Sequence, residues 1–228
     1  MQTKLRFSKI IVFAQWTGLT SLCLTIGFSF YLNSAHPDGL FLIVSFMLVA
    51  ILQWAIVLRR YLNNVAWWVY VSAMGFLLSF GVYYVLDQVT RPLWIGTGLI
   101  NSTPTIEVIR NVIWGAIIGF TLGLAQWYVV LRNNKIRYAV WWVPANTFAY
   151  GICFGIALEF YTLAKSARWD AFFGGPLNMS VIILGAVLAS VVVGAITGIT
   201  IVWLLRDRIV EHGKDNMPHL SETSAAHD

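Results

Sequence analysis

The sequence predicts an all-α integral membrane protein with six transmembrane helices, and three observations carry that prediction. Of 228 residues, 58% are apolar and only 11% charged, against about 45–50% and 25% in soluble domains. Six uncharged or nearly uncharged runs of roughly 20 residues or more follow one another, each long enough for about 30 Å of hydrocarbon. Lys and Arg gather at alternate ends of those runs. A mean hydropathy of +0.72 with 11 Trp leaves little surface suited to water. That excludes a soluble globular enzyme, a disordered regulator and a disulfide-rich secreted domain.

The basic N-terminus, residues 1–9, leads into a first span at about 10–32. Its uncharged length exceeds the roughly 7–15 residues of a signal-peptide core. A cut after Asn33-Ser34-Ala35 would place Asn where a small residue is wanted, so a retained helix is expected. A tight turn over 33–38, holding Asn33, Pro37 and Asp38, precedes the second span at 39–58. The third span, 65–87, is followed by a longer loop, 88–109, with Trp94 and a Gly-Thr-Gly at 96–98. The fourth and fifth spans, 110–131 and 138–162, flank a short basic turn. A second long loop, 163–177, holds Trp169 and Gly174-Gly175-Pro176 and leads to the sixth span at 178–205. The membrane domain is thus 10–206, and a polar, disordered tail is expected over 207–228. Long apolar runs with scattered Gly favour helices, because a barrel strand alternates in polarity over about 10 residues.

Charge sets the expected orientation. With the N-terminus inside, the cytoplasmic cations are Lys4, Arg6, Lys9, Arg59, Arg60, Arg132, Lys135, Arg137, Arg206, Arg208 and Lys214, eleven of the fifteen. Arg91, Arg110, Lys165 and Arg168 fall outside. This is the positive-inside pattern, and it puts both termini in the cytoplasm as three in-out-in hairpins. The net charge of +5 is therefore a topology signal, with no basic patch interleaved with stacking aromatics for nucleic acid. Cys23 and Cys153 lie alone in apolar runs and are expected as buried thiols.

The chain repeats itself. Gln53-Trp54-Ala55-Ile56-Val57-Leu58-Arg59 is matched by Gln126-Trp127-Tyr128-Val129-Val130-Leu131-Arg132, and each copy resumes after a basic turn with a Trp pair, Trp67-Trp68-Val69 and Trp141-Trp142-Val143. Val202-Trp203-Leu204-Leu205-Arg206 is a degenerate third end, and Gln15-Trp16 a degenerate Trp-pair position. Three similarly oriented hairpins suggest a compact pseudo-threefold bundle. The pattern Gln-Trp-x-x-x-Leu-Arg, basic turn, Trp-Trp-Val resembles that of a group of multi-pass bacterial membrane proteins, prominent in cyanobacteria and Chloroflexi-type bacteria. The resemblance covers about residues 50–82 and 119–156. It implies a bacterial, several-helix protein of the inner membrane and brings no activity, cofactor or catalytic residue. Ser72 follows the group's habit, whereas Pro144 and Asn146 depart from it in the second copy.

Helix geometry gives the motif a meaning. Gln53 lies six residues before Arg59, so about 9 Å inside the boundary at 1.5 Å per residue. Ser72 on the next span is at a similar depth; Gln126 and Asn146 repeat the relation, and Thr20 holds the like position after Trp16. The favoured reading of Thr20, Gln53, Ser72, Gln126 and Asn146 is a structural clamp between helices. The alternative is a polar cavity near the cytoplasmic face, with a backbone carbonyl freed by Pro144. Trp67, Trp68, Trp141 and Trp142 read as an interfacial aromatic belt, with a stacked pigment or headgroup as the alternative. Small-residue stripes at Gly115/Gly119/Gly123, Gly151/Gly155 and Ala186/Ser190/Gly194/Gly198 suggest close packing among the fourth to sixth helices, or else a homo-oligomer contact.

Glu159 is the one carboxylate expected inside a span. Pairing near the outer interface with Lys165 or Arg168 is the bland reading, and a proton- or cation-coupled role the sharper one. Asp87/Arg91 and Glu107/Arg110 have helical ion-pair spacing. No metal-ligand cluster, carboxylate pair or phosphate-cradling Gly loop stands out. The expectation is a non-enzymatic accessory, assembly or scaffold subunit without cofactor, whose partners are the lipid bilayer and a membrane protein or a second copy. The alternative is a small carrier or binding component for a lipophilic or uncharged solute.

Overall fold

In hydrocarbon every backbone N–H and C=O must be satisfied within the protein, and long apolar runs do so as helices. The structure, a computed structural model, describes residues 2–33, 40–62, 65–96, 104–165 and 177–215. Expectations falling on other residues, and on the side chains of Lys4, Arg6, Asp87, Arg91, Trp94, Glu107, Lys165 and Lys214, lie outside what is described. The helices are α1 (Gln2–Asn33), α2 (Leu40–Leu52), α3 (Trp67–Gly96), α4 (Pro104–Gln126), α5 (Trp142–Lys165), α6 (Leu177–Leu204) and a short α7 (Arg206–Asp215). Six of them hold segments long and apolar enough to cross a membrane: Ser8–Leu32, Phe41–Arg60, Trp67–Thr90, Val108–Leu131, Ala139–Ala164 and Met179–Leu204.

Each of these six packs against its neighbours in sequence, and α6 returns to pack against α1, so the helices form a closed ring. Neighbours run antiparallel. Phe30 stacks on Phe41 at one end of the α1/α2 pair while Thr20 meets Gln53 toward the other. Gly115, Gly119 and Gly123 of α4 lie against Tyr150, Asn146 and Val143 of α5 in descending order. Two apolar clusters fill the ring. One, around Leu24, Phe28, Phe76, Ile118, Cys153 and Phe154, occupies the half that holds the Phe30/Phe41 contact. The other, around Trp16, Leu58, Trp68, Leu131, Trp142 and Leu205, occupies the opposite half.

Small residues set how closely the helices approach. A Cβ at Gly119 would collide with the backbone of Asn146 and Thr147, and one at Gly115 with the carbonyl of Tyr150. The stripe on the sixth helix does not pack where the sequence suggested. Gly194 and Gly198 lie on Thr17 and Phe13 of α1 and so close the ring, while Gly185 takes the ring of Phe160. These seams are consumed inside one chain, which removes the stripe argument for a second copy.

The six spans lie within three residues of those read from the sequence, and the helices run on beyond them: α1 begins at Gln2 and α3 ends at Gly96. Residues 206–215 form α7, where an unstructured tail was expected from 207. Reading from charge to charge stops each helix at its first ion, yet hydrogen bonding along a helix continues past the hydrocarbon edge. α7 is held because Leu205 and Ile209 bury their side chains in the Trp-rich cluster. Pro104 opens α4 and Pro144 lies in the first turn of α5. A first-turn proline has no intrahelical N–H to lose, so Pro144 does not free the carbonyl expected of it.

Candidate functional site

The buried polar residues concentrate where the two apolar clusters meet. Thr20, Gln53, Ser72, Gln126, Asn146 and Thr197 are each at most 6% exposed. They come from six different spans, and helix packing brings them to one level. Just beyond them stand Trp16, Trp68 and Trp142, fully buried. The three indoles touch pairwise, with centroids 6.0, 5.8 and 5.8 Å apart and interplanar angles of 73°, 85° and 54°. The two contacts of Trp16 are edge-on, which suits the aromatic quadrupole, and the third is tilted. The centre of the ring at this level is solid tryptophan.

Each indole N–H is satisfied by the preceding or closing helix. Trp68 Nε1 donates to Gln53 Oε1 at 3.3 Å, and Trp142 Nε1 to Gln126 Oε1 at 2.8 Å. The other end of each amide donates onward, Gln53 Nε2 to Thr20 Oγ1 at 3.0 Å and Gln126 Nε2 to Ser72 Oγ at 2.8 Å. A glutamine therefore ties three helices: its own, the one before and the one after. The third helix end has no glutamine. Trp16 Nε1 donates instead to Thr197 Oγ1 at 3.1 Å, which in turn donates to the carbonyl of Val193 at 2.7 Å. Ser72 Oγ donates to the carbonyl of Trp68, and Asn146 Nδ2 to that of Trp142 at 2.8 Å. The position that sequence spacing would align with the glutamines is Thr200, whose hydroxyl is spent on Ile196 one turn back.

Local backbone geometry aims both glutamines. α2 and α4 each end in one wide π turn, Gln53–Val57 and Trp127–Leu131. A π turn accommodates an extra residue and recurs at functional positions. Here it begins at or immediately after the glutamine that bridges three helices.

The tryptophan pairs split. Trp67 and Trp141 are 60% and 58% exposed, on the outer face. Trp68 and Trp142 are not belt residues: they are core, because a one-residue step turns a helix by about 100° and only the second of each pair points inward. Trp16, read from the sequence as a degenerate Trp-pair position, is their equal in the core, and sequence reasoning missed Thr197 altogether. One signal was present. Counting four residues on from Trp16, Trp68 and Trp142 gives Thr20, Ser72 and Asn146, and counting twelve gives Phe28, Phe80 and Phe154. Farther along, Tyr31 and Tyr161 both pack against the cluster that holds Phe28 and Phe154.

Glu159 lies away from this layer, in the opposite half of α5. Its Oε2 is buried without a hydrogen-bond partner among the described residues, and so is Trp114 Nε1 on α4. Cys23 and Cys153 are both free thiols and both buried in the cluster around Phe28 and Phe154. No family model matches the chain, and neither a curated protein nor a solved structure matches it.

Proposed function

We propose that this chain is a membrane-embedded accessory, assembly or scaffold subunit, acting through its helix faces and its lipid contacts. The observation that supports this reading best is the use of the polar layer. The amides of Gln53 and Gln126 are spent on Thr20, Ser72, Trp68 and Trp142, and the tryptophan triangle fills the space a solute would need. What the molecule offers outward is apolar side chains, from Leu22 and Ile26 on α1 to Leu184 and Val191 on α6.

In this reading the chain is three hairpins of one design about a pseudo-threefold axis, with both termini in the cytoplasm of a bacterium. The excess of Lys and Arg at the tryptophan end supports that orientation, and the sequence resemblance supports the inner membrane. The carrier reading draws on Glu159, whose Oε2 has no hydrogen-bond partner among the described residues and is the kind of group a coupled cation or proton uses.

Gentle extraction from the native membrane, after crosslinking in place, followed by native mass spectrometry separates the two. A stoichiometric partner protein supports the subunit reading and names the process. A stoichiometric small molecule, lost from a correctly inserted Gln126→Leu/Asn146→Leu chain, overturns it in favour of a carrier. A bare chain after crosslinking also counts against the subunit reading.

A further inference from the structure

At the tryptophan end of the ring, α1 and α6 line a groove of about 400 Å³. Its walls are Ile10 and Phe13 from α1 with Ile199, Val202 and Trp203 from α6. Its rim is Lys9 on one side and Arg206 on the other. We infer that this groove binds an anionic phospholipid, its phosphate between Lys9 and Arg206 and an acyl chain along Phe13, Ile199 and Val202.

The walls and the rim together select that occupant. The groove opens sideways, since Ile10 and Ile199 are 60% and 62% exposed, so a ligand enters from the bilayer. A free inorganic anion would leave the apolar walls unused, and a zwitterionic lipid brings no net charge to the two cations. Cations where helices meet at a membrane surface recognise anionic headgroups in this way. Asp207 Oδ1 lies 3.5 Å from Arg206 Nε with its own side chain 69% exposed. An exposed pair of this kind is weak, and it orients the guanidinium rather than cancelling it.

The Arg206 side of the groove is braced. Arg206 lies over the ring of Trp203, Trp203 stacks on Tyr138 at 5.6 Å and 21°, and Arg137 lies over Tyr138 at 4.6 Å. Tyr138 reaches this position with φ of 60°, a left-handed backbone uncommon in any residue with a side chain. The turn before α5 thus spends backbone strain to hold an aromatic wall and brings a third cation to the same neighbourhood.

This inference rests on the membrane-embedded part of the proposed function and is independent of the scaffold role. The test uses the full chain in nanodiscs of phosphatidylcholine with graded phosphatidylglycerol, and native mass spectrometry of the ejected protein with its retained lipids. Stable incorporation in pure phosphatidylcholine reports on membrane embedding alone. Preferential retention of one phosphatidylglycerol supports the site. Lys9→Gln is expected to weaken that retention about fivefold and Lys9→Gln/Arg206→Gln about 25-fold, at the usual value of one interfacial charge. Arg59→Gln/Arg60→Gln removes two exposed charges from the same end, outside the groove, and is expected to change retention little. Equal retention of phosphatidylcholine, equal loss in the Arg59/Arg60 variant, or displacement of the lipid by millimolar inorganic phosphate would each overturn the proposal. If the double variant does not fold, Lys9→Gln alone decides.

Discussion

Replacing Gln126 with leucine is the sharpest probe of the buried layer, because one side chain there serves two partners on two other helices. The amide accepts from Trp142 Nε1 at 2.8 Å and donates to Ser72 Oγ at 2.8 Å. Ser72 keeps its own bond to the carbonyl of Trp68, so it loses an incoming donor and nothing else. Trp142 is 1% exposed, and its N–H is left with neither protein partner nor water. Two membrane hydrogen bonds at about 0.6 kcal/mol each and one orphaned N–H at about 1–3 kcal/mol sum to a loss of about 2–4 kcal/mol. The assay is reversible unfolding in mixed micelles by SDS titration, followed by near-UV circular dichroism, which reads the packed indoles. Gln53→Leu breaks the longer bonds at 3.0 and 3.3 Å and is expected to cost less. A cycle with Trp142→Phe isolates the pair, with an expected coupling of about 0.6–1.7 kcal/mol. A Gln126→Leu chain as stable as the parent, or a coupling within the roughly 0.3–0.5 kcal/mol at which distant sites add, would refute the clamp.

Three further outcomes follow from burial and packing. Gly119→Ala drives a methyl into the Asn146 backbone and is expected to cost about 1–3 kcal/mol or more; Gly81→Ala, with nothing within 4 Å, should gain about 0.5–1 kcal/mol in the same titration. In chains that keep Trp16, Trp68 and Trp142 and lose the other tryptophans, brominated lipids should quench little, and restoring Trp67 or Trp141 should add a strongly quenched component; strong quenching of the three-tryptophan chain would mean the triangle is not formed. Cys23 and Cys153 should resist a bulky maleimide in mild detergent and react on unfolding, and prompt labelling of Cys153, which is 0% exposed, would mean the cluster around Phe28 and Phe154 is open.

The six spans were readable because each is a single apolar run, and length alone decides whether a run can cross a bilayer. The polar residues of the layer were readable too, since their spacing from Arg59 and Arg132 puts them at one depth. Their partners were not. A glutamine's neighbours depend on the rotation of three helices, and rotation is set by seams such as Gly119 on Asn146 and Gly194 on Thr17. The same gap explains the tryptophan pairs, for nothing in Trp-Trp-Val says which ring turns inward. Trp16 was legible as a Trp-pair position although its pair is Gln-Trp, and Thr197 was obscured because its counterpart by alignment is Thr200. The spans were legible to within three residues, but not how far each helix runs past the water boundary, where apolar content falls and helical hydrogen bonding continues.

The ring closes through its first and last helices, and that has a consequence for synthesis. Trp16 waits for Thr197, a partner 181 residues later in the chain. At about 5–20 residues per second, the indole of Trp16 remains without its acceptor for about 10–40 s after it is made. The small-residue seam on α6 that covers Thr17 and Phe13 arrives at the same moment. A nascent or truncated chain therefore carries an open edge on its first helix, polar at Thr17 and Ser21, whose hydroxyls donate to the carbonyls of Gly194 and Ser190 only after closure. Closure of the ring is thereby tied to one face of its first helix, which stays polar until the sixth helix covers it.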